Sequence, residues 1–150
     1  MPKRLCPRLL TSPLTARFLD TNVLIRLLTR DDEQKAQRAH SLLLRVEQDQ
    51  ETVETSPMVI FEVVFILEKS YRIPKETIRE DINDLLSLRG MKVADKMLYR
   101  HALDLYVEKN ISFADAYNAQ LMRSRRIAEI YSWDTDFDRL EGIMRVEPVA

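Results

Sequence analysis

Glycine is almost missing from this chain: Gly90 and Gly142 are the only two among 150 residues. Neither belongs to a glycine-rich turn able to wrap a phosphate, so Rossmann dinucleotide binding and P-loop chemistry are excluded. No G-x-S-x-G elbow exists, which removes serine hydrolases of that kind. Cys6 is the single cysteine, so no intramolecular disulfide can form. With His40 and His101 as the only histidines, a four-ligand zinc site of Cys and His cannot be assembled. Hard oxygen ligands are what remains for a metal. Neither sign of charge dominates: 23 basic against 24 acidic residues exclude a strongly basic nucleic-acid coat. Any nucleic-acid contact must therefore be a local patch. No apolar run is long enough for a signal sequence or a membrane span, which reads as a cytoplasmic soluble protein without a membrane partner.

What is present suffices for one core, because 45% of 150 residues are hydrophobic. Residues 1–15 carry Pro2, Pro7 and Pro13 without periodicity and read as a flexible leader, leaving residues 16–150 as a single domain. Arg17-Phe18-Leu19 is expected to be a short strand ending at Asp20, with a helix through Val23, Leu24, Leu27 and Leu28. Helices are expected over about 33–48, from Pro57 to Tyr71, from Pro74 to Arg89 with Gly90 as C-terminal cap, over 95–109, and from Ser112 toward Arg125. Short strands are expected around 52–55, 91–94 and 144–147, with a buried strand at Ile127–Trp133 and a helical turn at Asp134–Leu140. Short strands alternating with longer helices predict an α/β fold with a short parallel sheet flanked by helices. Ligands gather at the C-terminal ends of such strands.

Three carboxylates fall where that rule applies. Asp20 and Asp134 directly follow strands, and Asp115 lies in the first turn of a helix feeding a strand. If those strands are parallel neighbours, the three converge. Glu62 shares its helical face with Met58, Phe65 and Ile66, and that face is expected to point inward. A buried carboxylate then needs a cation or a donor network. Several carboxylates in one pocket repel each other, and a divalent cation is the simplest neutraliser. Each acid has a structural alternative. Asp20 suits an N-cap, Asp115 completes a capping box with Ser112, Glu62 suits an ion pair with Arg26, Lys69 or Arg72, and Asp134 and Asp136 suit a turn.

At these residues a likeness emerges. It rests on Phe18-Leu19-Asp20-Thr21-Asn22-Val23-Leu24, on Phe61-Glu62-Val63-Val64-Phe65-Ile66-Leu67, on Phe113-Ala114-Asp115-Ala116, and on Ser132-Trp133-Asp134-Thr135-Asp136-Phe137-Asp138. In order and spacing the chain resembles the PIN-domain family, most closely its VapC-type toxin branch, over about residues 17–147. The resemblance implies a PIN-like three-layer α/β/α fold and a metal-dependent endoribonuclease, the toxin of a type II toxin–antitoxin pair. It maps the catalytic metal ligands to Asp20, Glu62, Asp115 and Asp134, with Asp136 close by, and Mg2+ or Mn2+ as the ion. Thr21 and Asn22 match the polar residues that accompany the first Asp. The implied partners are an RNA substrate, a small VapB-type antitoxin whose tail occupies the acidic pocket or the groove beside it, and a second copy in a homodimer. The leader is longer than this family usually carries.

Other signals are weaker. Arg123, Arg125 and Arg126 suit a helix C-terminus or RNA phosphates; Arg26 and Arg30 suit the same groove or a solvated face. His40 and His101 stand on expected helices without polar neighbours, which argues against histidine acid–base catalysis. Tyr99, Tyr106 and Tyr117 read as core or dimer contacts. A haloacid-dehalogenase-like phosphatase wants a second Asp where Asn22 stands. The remaining alternative is a catalytically silent PIN-like module that binds RNA or protein.

Overall fold

The short apolar stretches fold as very short parallel strands, seen in a computed structural model that describes residues 15–150. The expected leader thus lies, but for Thr15, outside the described residues. In chain order the elements are β1 (Arg17–Phe18), α1 (Thr21–Thr29), α2 (Glu33–Glu47), β2 (Val53–Glu54), α3 (Pro57–Lys69), α4 (Lys75–Ser87), β3 (Met91–Lys92), α5 (Lys96–Glu108), α6 (Phe113–Ser124), β4 (Glu129–Tyr131), a 3₁₀ helix (Thr135–Arg139) and β5 (Met144–Val146). Helices flank parallel strands in a three-layer α/β/α fold. The cap signals act as their chemistry requires. Ser56 accepts from the Val59 amide with Pro57 at the first helical position, and Asp32 accepts from Lys35.

The order β1-β2-β3 sets Arg17 opposite Val53 and Val53 opposite Met91, all parallel. β4 and β5 form a separate parallel pair, with Glu129 opposite Met144. The expected neighbourhood of the first strand and the Ile127–Trp133 strand is therefore corrected, because β4 pairs only with β5 among the described residues. That strand is also shorter and more exposed than expected, with Ile127, Tyr131 and Trp133 at 48%, 76% and 72% exposure. The cause lies at its ends. Arg126 takes a left-handed φ of 57°, and the Ile127 amide bonds back to the Met122 carbonyl at 2.9 Å, so Ile127 closes α6. Downstream, the Asp134 amide donates to Ser132 Oγ at 2.9 Å and turns the chain out of the strand.

One core cluster runs through the fold, from Leu19 after β1 to Ile143 before β5. α3 buries Val59, Ile60, Val63, Val64 and Leu67, each fully buried aliphatic side chain contributing about 1.5–3 kcal/mol. The face of α3 holding Glu62 points the other way: Glu62 is exposed, as are Met58 and Phe65, while Ile66 is half-buried. The inward placement of Glu62 is thus overturned. A helix apolar on nearly every side carries too little contrast for periodicity to choose its buried face. α4 ends at Ser87 with an extended Leu88, so Gly90 is not its cap. Gly90 is required instead by close backbone approach: its amide donates to Val46 O at 3.0 Å, and a Cβ there would lie 2.2 Å from Glu51 O.

Candidate metal centre

Two local devices bring three carboxylates together. At the start of α6, Ser112 caps the helix by accepting from the Asp115 amide at 3.1 Å, which places Asp115 in the first turn. Ser112 thus caps the helix as expected, whereas no return bond from the Ser112 amide to the Asp115 carboxylate completes the box among the described residues, and that carboxylate is half-buried. In the 3₁₀ helix, Asp134 Oδ1 accepts from the Asp136 amide at 2.9 Å, while buried Phe137 anchors the turn to the core. One carboxylate oxygen from each of Asp115, Asp134 and Asp136 then lies within 4.8 Å of the others. Burial pushes the Asp115 carboxyl above its ordinary value, the Asp134 and Asp136 charges push it further, and the Ser112 hydroxyl opposes them.

Asp20 and Glu62 stand outside this tight group. Asp20 occupies the N-cap position of α1 in an extended conformation but its carboxylate caps nothing; it accepts from Asn22 Nδ2 at 3.2 Å. The Thr21 hydroxyl, on a residue only 3% exposed, donates to Glu62 Oε2 at 2.6 Å. The start of α1 is thereby linked to α3 across 41 residues of sequence. None of the ion pairs considered for Glu62 forms among the described residues. Arg26 is bonded to Asp31, Lys69 pairs with Glu68, and Arg72 forms no salt bridge there.

Two cations beside the cluster were not evident from the sequence. Arg139 Nη2 donates to Asp136 Oδ1 at 3.0 Å and Nη1 to the Lys109 carbonyl at 2.8 Å. Lys75 Nζ donates to the Ile111 carbonyl at 2.7 Å. The three-residue spacing from Asp136 to Arg139 is a signal that local reading can use. Lys75, 36 residues from its acceptor, carries none. Arg123 donates to the Glu141 carbonyl, whereas Arg125, Arg126, His40 and His101 are exposed. Tyr99 and Tyr106 belong to the core.

Three clustered carboxylates, one of them held above its ordinary pKa by burial and by the charges of the other two, are a donor set of hard oxygens that fits a divalent cation such as magnesium or manganese. Among the described residues neither histidine nor thiolate joins the cluster, and this set of three carboxylates does not suit zinc.

The PIN domain family model matches residues 17–143. A VapC ribonuclease of Aquifex aeolicus (strain VF5) is 28% identical over 132 residues, covering 88% of this chain and 96% of that relative. The match takes in every element from β1 to the 3₁₀ helix and all five acids described above. The chain belongs to the PIN domain family.

Proposed function

We propose that this protein is a Mg2+- or Mn2+-dependent endoribonuclease of the VapC toxin type, with Asp20, Glu62, Asp115 and Asp134 as its catalytic acids and Asp136 as a further metal ligand. The observation that carries the reading is the approach of the Asp115, Asp134 and Asp136 oxygens to within 4.8 Å of one another. A bound divalent ion supplies a water of lowered pKa and neutralises charge on phosphodiester oxygens. The chain's own contribution is to hold the acids ready. Ser112 and Asp134 fix the two turns from which the cluster projects, and Thr21 holds the Glu62 carboxylate in one orientation. Arg139 keeps Asp136 paired at the edge of the cluster.

The same reading places the protein in the cytoplasm, as a homodimer whose activity is held down by a small VapB-type antitoxin. The ribonuclease part of the proposal agrees with the name of the Aquifex relative, a VapC ribonuclease. Among the described residues no helix is long and apolar enough to cross a membrane.

The test is cleavage of single-stranded RNA by purified, antitoxin-free protein with manganese. Cleavage that stops in excess EDTA, and that Asp20→Asn and Asp115→Asn each lower by orders of magnitude, is the expected result. Undiminished cleavage in EDTA overturns it. RNA binding without any cleavage would favour the silent binding module instead. Co-expression with an adjacent small gene is expected to yield a stable complex of low activity.

A further inference from the structure

The connection between α5 and α6 is held from both sides by cations. α5 ends at Glu108 with Lys109 as its C-cap, and Asn110 follows in the left-handed region at φ 49°. On one side of Asn110 the Lys109 carbonyl accepts from Arg139 at 2.8 Å; on the other the Ile111 carbonyl accepts from Lys75 at 2.7 Å. Carbonyls at and just beyond a helix C-terminus lie at the negative end of the helix dipole, where cations are favoured.

Lys75 is itself held firmly. It is the first residue of α4, and its ammonium lies 4.3 Å from the centroid of the Tyr106 ring. Tyr106 is fully buried and donates to Glu68 Oε2 at 2.7 Å. Arg139 joins the turn to the acidic cluster, because its other nitrogen bonds Asp136. The turn ends at Ser112, the cap of α6, and Asp115 follows three residues later in the first turn of that helix.

We propose that Lys75 and Arg139 form a two-point pin on the Lys109–Ser112 turn, and that this pin positions Asp115 against Asp134 and Asp136 for metal binding. Both act through other residues and are positioning residues. The inference rests on the metal-site reading above. A purely structural lysine would alter stability alone. A cation acting only by its charge would weaken metal binding, so its removal would tighten it. The pin predicts the reverse, since a loosened turn lets the ligands drift apart.

The experiment measures manganese affinity of the full-length protein, without RNA, from the rise in melting temperature with manganese concentration. Wild type is compared with Lys75→Met, Lys75→Arg, Lys75→Gln and Arg139→Met. Lys75→Met is expected to bind manganese about 10-fold more weakly. Lys75→Arg, which keeps a charged donor, is expected to recover most of that loss. Arg139→Met is expected to weaken binding in the same direction, and saturating manganese to restore part of the cleavage rate of each variant. Should Lys75→Met not fold, Lys75→Gln decides: affinity below wild type supports the pin. Unchanged or tighter binding in whichever of Lys75→Met and Lys75→Gln folds, with wild type binding normally, overturns the pin and leaves the metal site standing. No manganese response in wild type overturns both.

Discussion

The Thr21 hydroxyl donates a 2.6 Å hydrogen bond to Glu62 Oε2, joining the first residue of α1 to the middle of α3. Glu62 lies on an exposed face yet is held by a donor that is almost wholly buried. The bond therefore fixes the direction of the carboxylate more than it stabilises the fold. Thr21→Val keeps the shape and removes the donor. Its stability cost is expected to be about 1 kcal/mol or less, because water can replace the bond at Glu62. Cleavage is expected to fall about 10-fold, as for other residues that orient a ligand, and Thr21→Ser to restore it. Urea unfolding beside initial rates checks both parts; a large stability loss with normal cleavage would contradict them.

Asp115→Asn is expected to separate stability from activity. Without metal, the Asp134 and Asp136 charges disfavour ionised Asp115, so neutralising it relieves repulsion. Weakening of charge–dipole attraction at the start of α6 opposes this by about 1 kcal/mol or less. The variant should be as stable as wild type in EDTA, or more so, and gain much less from manganese. Thermal melts of both proteins with EDTA and with manganese test this. Equal manganese gains with a clearly weaker variant in EDTA would make Asp115 a cap alone.

The raised pKa of Asp115 also sets a pH dependence. Its folded-state pKa lies above the ordinary 3.8, so the native state holds the proton more tightly than the unfolded chain. This contribution to metal-free stability is fully present below 3.8 and is lost as pH rises through the raised folded value. Asp31 runs oppositely. The Tyr71 hydroxyl and Arg26 hold it at about 2, so its contribution is present above 3.8 and is lost as pH falls through about 2. The difference between wild type and Asp115→Asn in urea midpoints, taken from about pH 4 upward in EDTA, isolates the Asp115 part. It should move in favour of the variant as pH rises. A difference independent of pH would mean that the carboxyl titrates normally.

Gly90→Ala tests the packing of β3 against the end of α2. The new methyl would lie 2.2 Å from Glu51 O and 2.8 Å from Val46 O, both backbone atoms with little freedom to move. Destabilisation of about 2–3 kcal/mol is expected, measured by urea unfolding. At Gly142 a Cβ meets nothing within 4 Å, but φ is +78°. Gly142→Ala should therefore cost only about 1 kcal/mol of backbone strain, and a larger loss there than at Gly90 would contradict this account.

The sequence by itself determined the element order, because capping residues and helical periodicity are local. Ser56-Pro57, Asp32 and Ser112 start helices where their chemistry dictates. It also limited any metal to oxygen ligands, by lacking enough Cys and His, and it marked the five acids. Tertiary structure alone decided which acids meet. Asp115 reaches Asp134 and Asp136 through the packing of a helix start on a 3₁₀ turn, whereas Asp20 and Glu62 stay outside that tight group. It decided the outward direction of Glu62 as well, since α3 is apolar on nearly every side and only its neighbours select the buried face. Gly90 resembled a helix cap until the carbonyls of Val46 and Glu51 closed on it. The grip of Lys75 on Ile111 spans 36 residues, and no local pattern can encode a contact whose partner arrives only when the chain has folded.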